Sequence, residues 1–421
     1  MSAVADRAAT AFRFNPFAIG FIDDPYPTFR WMRENDPVHR YRTLVDDAWI
    51  LTRHADIRAV LTDKRFGIDN LGARVVQKIP FMQKDAPSLR RLGATLGSWL
   101  FFVNPPDHSR LRHVVSRDFT AAAIARIRPM AEAFVDDAFA ALVLDGGFDL
   151  MAQIARPIPA VVTSAVLGLQ ADRIGELIAC SERLFSIFEQ PITFDGYRRM
   201  GEAADTFREF FEAEFAARAR AAPKSDLLGK LLLACGDALS HDEVIAFSAM
   251  LFSVGQETTE NYIGNSVLAL LRQRDQFDAL VADPATIPAA ALELARYDSA
   301  VQFVTRVPSE DVEIGGHTLR RNDRVYLALG AANRDPAAFD APDDLNLARS
   351  ETSNLPFGSG IHFCLGSALA RMMVEVVLER LVRLPSIAID DAGLVRRRTI
   401  VLRGVRALPL HLPARTVGAG G

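Results

Sequence analysis

Cys364 is the residue whose surroundings point most directly to chemistry. It lies in the segment 357–371, FGSGIHFCLGSALAR, among closely spaced glycines and just before a run of strong helix formers. Unpaired backbone N–H groups and the positive end of the helix dipole meet at a helix N-terminus, and both favour a thiolate over a thiol. A thiolate held in this way is a metal ligand or a nucleophile, whereas an ordinary buried cysteine is neither.

The neighbours of Cys364 indicate what lies against it. Three glycines within nine residues have no Cβ and allow the backbone to lie flat against a large planar group. Two aromatic side chains could pack on the same group. The residues concerned are Phe357, Gly358, Gly360, Phe363 and Gly366.

A second candidate site lies in the apolar stretch Leu251-Phe-Ser-Val-Gly-Gln-Glu-Thr-Thr259. An acid and two alcohols need a reason to lie in such a run, because unpaired polar groups in a core are costly. A functional role for Glu257 and Thr258 would be such a reason. The alternative is that Thr258 bonds back to a helix carbonyl and Glu257 is solvated.

The elements that must position these residues are helices. Ser240 and Glu243 form the pattern of a capping box, and no proline follows until after about Arg274, which predicts a helix of about 50 Å at 1.5 Å per residue. Glu293 and Arg296 lie at i, i+3 on a helix that has Pro288 in its first turn, so they share a face.

The segment around Cys364 resembles the haem-binding loop of the cytochromes P450, F-G-x-G-x-H-x-C-x-G-x-x-L-A-R, without a mismatch. The resemblance implies that Cys364 is the axial thiolate ligand of the iron in haem b (iron protoporphyrin IX). The stretch at 251–259 resembles the oxygen-binding motif of the same family, with Gly255, Glu257 and Thr258 at the matching places. These residues would loosen the helix, relay protons and hold water.

Two positions depart from the family pattern. Val254 stands where the family usually has Ala or Gly, so we expect a narrower pocket beside the oxygen site. Glu293 and Arg296 resemble the structural ExxR pair, which usually takes a third basic residue from the segment before the haem loop. Asp344 occupies that position, so Arg349 or Arg334 substitutes, or the network is smaller.

The resemblance also implies cations for the two haem propionates, because carboxylates are not buried without partners. The matching residues are His108, Arg112, Arg306 and His362. The substrate pocket, expected by the same analogy, is apolar and suits a sizeable lipophilic molecule. Its candidate residues are Trp99, Leu100, Phe101, Ser253, Val254, Val301, Phe303, Val304, Ile400, Val401 and Leu402.

Composition and periodicity predict a mainly α, single-domain fold over 1–421, with a long central helix, small β-sheets near both chain ends and a flexible tail over about 1–15. Helices are predicted over 121–144, over 205–222 and from a cap at Thr52 to Leu61. Strands are predicted at 38–42 and 48–51 around a turn at 46–47, and a hairpin at Gly315-Gly316, with a long irregular region at 64–104. The net charge of −4 gives no reason to expect nucleic acid.

Three scattered cysteines, no signal peptide and no apolar run of membrane-spanning length predict a cytoplasmic, unanchored protein, which we expect to be a monomer. The resemblance implies a monooxygenase of secondary metabolism that hydroxylates or epoxidises with O2. Its electrons would come from a ferredoxin and an NAD(P)H-dependent reductase, docking near Arg110, Arg112 and Arg371. A peroxide-driven or oxidative-coupling enzyme, and a haem sensor or carrier, are the alternatives.

Overall fold

The computed structural model describes residues 12–42, 47–145, 147–170, 173–188, 191–220, 226–351 and 353–412. Residues 1–11 of the predicted tail, residues 43–45 and residue 46 of the predicted turn lie outside this range. Phe12 stacks on Trp31, and Phe14 packs edge-on against Phe21.

Helices form most of the fold. They are α1 (Ile19–Asp23), α2 (Tyr26–Asn35), α3 (His54–Thr62), α4 (Leu71–Val76), α5 (Ala86–Gly97), α6 (Asp107–Val115), α7 (Ala121–Asp145), α8 (Pro157–Leu167), α9 (Ile174–Phe185), α10 (Phe194–Arg218), α11 (Leu227–Leu233), α12 (His241–Arg272), α13 (Arg274–Ala282), α14 (Ile287–Tyr297), α15 (Leu329–Ala332) and α16 (Ser367–Leu381).

The strands are short. They are β1 (Val38–Arg42), β2 (Asp47–Leu51), β3 (Phe66–Gly67), β4 (Gly147–Asp149), β5 (Phe303–Pro308), β6 (Val312–Ile314), β7 (His317–Leu319), β8 (Arg324–Ala328), β9 (Ala388–Ile389), β10 (Val395–Arg396), β11 (Val405–Ala407) and β12 (Pro409–His411).

The long helix α12 is the centre of the molecule. Ser240 and Glu243 form the predicted capping box, which satisfies N–H groups at its start. The helix packs against α5, α8, α9, α10, α14 and α16, so most of its residues are buried on every side. A helix that is buried all round does not need an amphipathic pattern.

The largest sheet joins strands from residues 38–67 with strands from residues 303–328. Its strand order is β1-β2-β8-β5-β3, in which β2 and β8 run parallel and the other neighbours run antiparallel. The remaining sheets are β4-β12-β9, β10-β11 and the predicted hairpin β6-β7. The expected small sheets near both chain ends are therefore confirmed.

Some local predictions were wrong. The region 64–104 is not irregular: it contains α4 and α5, and Leu89, Leu92 and Leu96 of α5 are fully buried at helical spacing. Tertiary packing of this apolar stripe outweighs the scattered Gly and Pro residues that hid it. Thr52 does not cap α3, because its hydroxyl donates to the Pro37 carbonyl instead.

Candidate active site

A cavity of about 480 Å³ lies beside α12. Its wall includes α12, α6, strand β5 and the segment around Cys364, and most of its lining is apolar. Cys364 lines this cavity, whereas Cys180 is buried in the core and Cys235 is half-buried, both away from the lining. Of the three cysteines, Cys364 is thus the one in position to bind a group held there.

The loop before α16 holds Cys364 by its backbone. The Cys364 N–H donates to the Phe357 carbonyl at 3.0 Å, and the ring of Phe357 lines the cavity. Gly358 and Gly366 also line it, and a Cβ at either position would meet no protein atom within 4 Å. Gly360 has a different role, because a Cβ there would lie 2.3 Å from the Leu61 carbonyl oxygen of α3.

Opposing effects act on the pKa of the Cys364 thiol. Burial raises its pKa and outweighs the backbone N–H of Gly366 and the charge of Arg112, which both lower it. In the protein without a bound cation, these two effects therefore do not offset burial. A coordinating cation would, since metal binding deprotonates a thiol outright.

Four basic side chains predicted from separate parts of the sequence meet at one end of the cavity: His108, Arg112, Arg306 and His362. The rings of His108 and His362 are 4.3 Å apart, and Arg112 donates to the Phe363 carbonyl at 2.9 Å. Burial and the nearby positive charges of Arg306, His108 and Arg112 lower the pKa of His362 to about 3.

This cationic cluster lacks an anion within the described part of the chain. No described carboxylate comes within ion-pair distance of Arg306, which is 5% exposed and whose pKa burial lowers to about 10. The Nε2 atom of His108 is buried without a hydrogen-bond partner among the same residues. Burying cations in this way is costly unless an anion accompanies them.

The expected oxygen-site residues of α12 divide between two sides of the helix. Thr258, Gly255 and Val254 line the cavity, and the Thr258 hydroxyl donates to the Val254 carbonyl at 2.9 Å. The helix continues without a break through Gly255, where a Cβ would lie 3.0 Å from the Thr163 hydroxyl. The expected loosening of the helix is therefore not observed.

Glu257 faces the other side of α12. It is 6% exposed, does not line the cavity, and its Oε2 lies 3.7 Å from Nη1 of Arg397, in the loop between β10 and β11. The sequence reasoning missed Arg397. The partners of Arg397 can be identified only once the loop is seen to pack on α12.

Glu293 and Arg296 form the expected buried pair. The guanidinium donates to both carboxylate oxygens at 2.7 and 2.8 Å, and also to the carbonyls of Asn333, Pro342 and Asp344. Asp344 thus contributes its backbone instead of a basic side chain. Of the two predicted substitutes, Arg349 completes the network.

Arg334 has a different position. Its guanidinium lies between the rings of Tyr26 and Tyr297, 3.8 and 4.0 Å from their centres. It also donates to the Tyr297 carbonyl and pairs with Asp343. It therefore stabilises the end of α14 and does not join the Glu293 network.

Most of the predicted pocket residues line the cavity. These are Leu100, Phe101, Val254, Val301, Phe303, Val304, Ile400, Val401 and Leu402. Trp99 does not: it is fully buried, with its ring 5.4 Å from that of Phe101. Ser253 faces away from the cavity and accepts a hydrogen bond from Ser181 at 3.2 Å.

The structure adds lining residues that sequence reasoning missed. Phe102, Phe185 and Phe188 pack with Phe101 into one aromatic wall. Asp69 pairs with Arg74 and Arg324 at another part of the lining. Phe185 ends α9 and Phe188 lies in the short turn after it, and neither could be told from a core residue, because α9 is amphipathic along its whole length.

The arrangement fits the haem expected from the sequence. The open faces of Gly358 and Gly366 leave room for a planar group, Cys364 supplies one axial ligand, and the cationic cluster matches two carboxylates. Among the described residues, no three His, Cys, Asp or Glu side chains gather to hold a bare metal ion. In the same part of the chain, no helix is both long and apolar enough to cross a membrane.

Comparisons with known proteins agree with this arrangement. The family model described as Cytochrome P450 matches residues 286–393. Cytochrome P450 107B1 of Saccharopolyspora erythraea is 36% identical over 94% of this chain and 96% of its own length. The polyketide biosynthesis cytochrome P450 PksS of Bacillus subtilis is 30% identical over 95% and 98%.

Among solved structures, that of CalO2 is 33% identical and superposes with a TM-score of 0.88, covering 95% of this chain and 98% of CalO2. With relatives this similar over almost the full length, the chain belongs to the cytochrome P450 family of monooxygenases, whose members carry haem on an axial cysteine thiolate.

Proposed function

We propose that this protein inserts one oxygen atom from O2 into a sizeable lipophilic molecule of secondary metabolism, by hydroxylation or epoxidation. The observation that carries the proposal is the joint lining of one largely apolar cavity by Cys364 and by four basic side chains. When bound, the haem supplies the redox chemistry that activates O2. The protein residues bind the group, exclude water and deliver protons.

Cys364 would hold the haem iron, and its backbone N–H bond to Phe357 fixes the position of the sulfur. His108, Arg112, Arg306 and His362 would hold the propionates. This assignment explains why Arg306 is buried away from any described carboxylate. Phe357, Gly358 and Gly366 would lie along the flat face of the group.

Substrate would lie against the aromatic wall and the apolar residues of β5 and the C-terminal loop. The structural grounds are the cavity lining from Phe101, Phe303 and Val401 and the scarcity of polar atoms around them. An apolar cavity of this kind favours lipophilic ligands over polar ones because burial of apolar surface drives binding.

Electrons would reach the haem from a ferredoxin and its NAD(P)H-dependent reductase, as is usual for cytoplasmic members of this family. Arg112 and Arg371 remain candidates for the docking face. Arg110 is a weaker one, since Glu243 and Asp107 already neutralise it. A peroxide-driven or oxidative-coupling enzyme is the competing proposal, and a haem sensor or carrier is a third.

The test of the haem assignment is spectroscopic. The reduced full-length protein treated with carbon monoxide should show the red-shifted Soret band of thiolate-bound haem. Cys364→Ala should lose this band, whereas Cys235→Ala should keep it. A haem-replete wild type without the band, or a Cys364→Ala variant that keeps it, would overturn the assignment.

The reaction class is tested with a panel of lipophilic compounds that shift the spin state of the haem. A compound that shifts the spectrum should be converted to an oxygenated product with reduced ferredoxin. Faster product formation with peroxide would support the peroxide-driven enzyme instead. Electron consumption no higher than background with every compound would support the sensor or carrier.

A further inference from the structure

Helix α12 carries a second buried acid one turn beyond Glu257. Glu260 is 2% exposed, and its Oε1 accepts from Nη2 of Arg397 at 2.7 Å. The Nη1 of the same guanidinium lies 3.7 Å from Glu257. One cation from the loop between β10 and β11 therefore joins two carboxylates on the face of α12 away from the cavity.

The loop is pressed closely on the helix at this point. A Cβ at Gly404 would lie 2.1 Å from the side-chain oxygen of Asn261, so only glycine allows this approach. The Arg397 N–H donates to the Gly404 carbonyl at 3.1 Å, which holds Arg397 at the same place. The shared cation is thus fixed by backbone contacts.

Glu260 is suited to hold a proton. Its Oε2 is buried without a hydrogen-bond partner among the described residues. Burial raises its pKa, and this effect outweighs the attraction of Arg397 and Arg156, while Glu182 adds to the rise. Two carboxylates around one guanidinium favour a state in which one of them is protonated.

Two of the charged residues that act on Glu260 are partly exposed to solvent. Arg156, at the start of α8, pairs with Glu182 of α9, and their side chains are 45% and 34% exposed. The side chain of Gln256 donates to the Arg156 carbonyl at 2.6 Å and bridges this pair to α12. The charged groups acting on Glu260 are therefore Arg397, Arg156, Glu182 and, through Arg397, Glu257.

We propose that Glu260 stores a proton on the face of α12 away from the cavity and passes it to Glu257. Arg397 holds the two carboxylates close to each other. The inference rests on the proposed role of Glu257 as proton donor. The proton leaves the Glu260 carboxyl and binds the Glu257 carboxylate, and water near Glu182 returns a proton to Glu260. No electrons move in this step. Glu260 and Arg397 are positioning residues, since they touch neither substrate nor haem.

The first test does not depend on turnover. Infrared spectra of the haem-loaded full-length protein should show a protonated carboxyl C=O band that persists above the ordinary pH range of glutamate. Glu260→Gln should remove the band, whereas Glu209→Gln, which changes an exposed glutamate on α10, should keep it. If wild type lacks the band, or Glu260→Gln keeps it, the proposal is overturned.

The second test measures oxidation of NADPH through a surrogate ferredoxin and reductase, with myristic acid as the lipophilic probe, in H2O and D2O. Glu260→Gln should slow turnover by about tenfold or more and enlarge the solvent isotope effect, because a general acid contributes at least this much. Glu260→Asp keeps an acid at this position. Its turnover rate should therefore fall at high pH as the wild-type rate does, unlike that of Glu260→Gln.

Haem content and the carbon monoxide band serve as folding controls. If Glu257→Gln is impaired and Glu260→Gln is not, the proposed role of Glu260 is wrong and the role of Glu257 stands. If neither variant is impaired, the role of Glu257 is wrong as well. If Glu260→Asp does not restore the pH profile, Glu260 acts by packing alone and its role as a proton store is overturned.

Discussion

Arg349 donates from Nε to both carboxylate oxygens of Glu293, at 3.1 Å each, and its side chain is only 4% exposed. Glu293 therefore lies between two guanidinium groups, those of Arg296 and Arg349. The Asn346 N–H also donates to it at 3.0 Å. Through these contacts one carboxylate on α14 fixes the segment that leads to the Cys364 loop.

Arg349→Met should destabilise the protein by about 1–3 kcal/mol, because Glu293 keeps its pair with Arg296 but loses two charge-assisted hydrogen bonds. Urea unfolding measures the loss. Arg383→Met changes an exposed arginine on the surface and should have little effect. A loss in Arg349→Met no larger than in this control would contradict the proposed third member of the network.

Arg306→Met should stabilise the haem-free protein and weaken the hold of the haem-bound protein on its haem. In the haem-free chain it removes a buried cation without a described carboxylate partner, so stability should rise by about 1–3 kcal/mol. In the haem-bound form it removes a propionate contact, so haem should transfer faster to apomyoglobin. Thermal unfolding of both forms, together with haem transfer, checks the prediction. Equal shifts of the same sign in both forms would contradict it.

Asp298 should contribute to the acid sensitivity of the protein. Burial raises its pKa, but Arg403, the hydroxyl of Tyr26 and Arg334 outweigh this effect, so the pKa lies below its ordinary value. A carboxylate with a lowered folded-state pKa stabilises the protein above its unfolded-state pKa, and this contribution is lost as the pH falls through the folded-state value.

Asp298→Asn should therefore be less stable than wild type at neutral pH and lose less stability on acidification. Urea unfolding at several pH values measures both effects. Asp278→Asn, in an exposed i, i+4 pair with Arg274, serves as the control. Parallel stability curves for wild type and Asp298→Asn would show that Asp298 does not titrate as described.

Val254→Ala should widen the cavity beside Thr258, since Val254 is part of its lining. We expect a changed product ratio or a changed coupling of electrons to product, because two methyl groups no longer restrict the approach of substrate. The measurement compares product and NADPH consumed per turnover. Unchanged values of both with the native substrate would refute the idea.

The sequence predicted best where local pattern and packing agree. Ser240 and Glu243 located the start of α12, and Gly315-Gly316 located the β6-β7 hairpin. The resemblance to the cytochromes P450 located four cations in separate parts of the sequence that the fold brings together. In the first two cases short-range residue types decide the structure.

The failures share a physical cause. Helix α5, the aromatic wall and the partner of Glu257 all depend on contacts between distant segments. Arg397 looks like any other residue of the run Arg396-Arg397-Arg398, and only the packing of its loop on α12 singles it out. For Cys364, burial outweighs the Gly366 N–H and the charge of Arg112 in setting the pKa, and burial cannot be calculated from a motif.

The pairing of β2 with β8 has a consequence for biosynthesis. Ala48–Leu51 of β2 cannot pair with Arg324–Leu327 of β8 until the ribosome has made more than half of the chain. Parallel pairing across such a separation forms slowly. Strand β2 can pair with β1 early, but its other edge remains without β8 during most of translation, and the cavity wall that includes β5 is completed only after that.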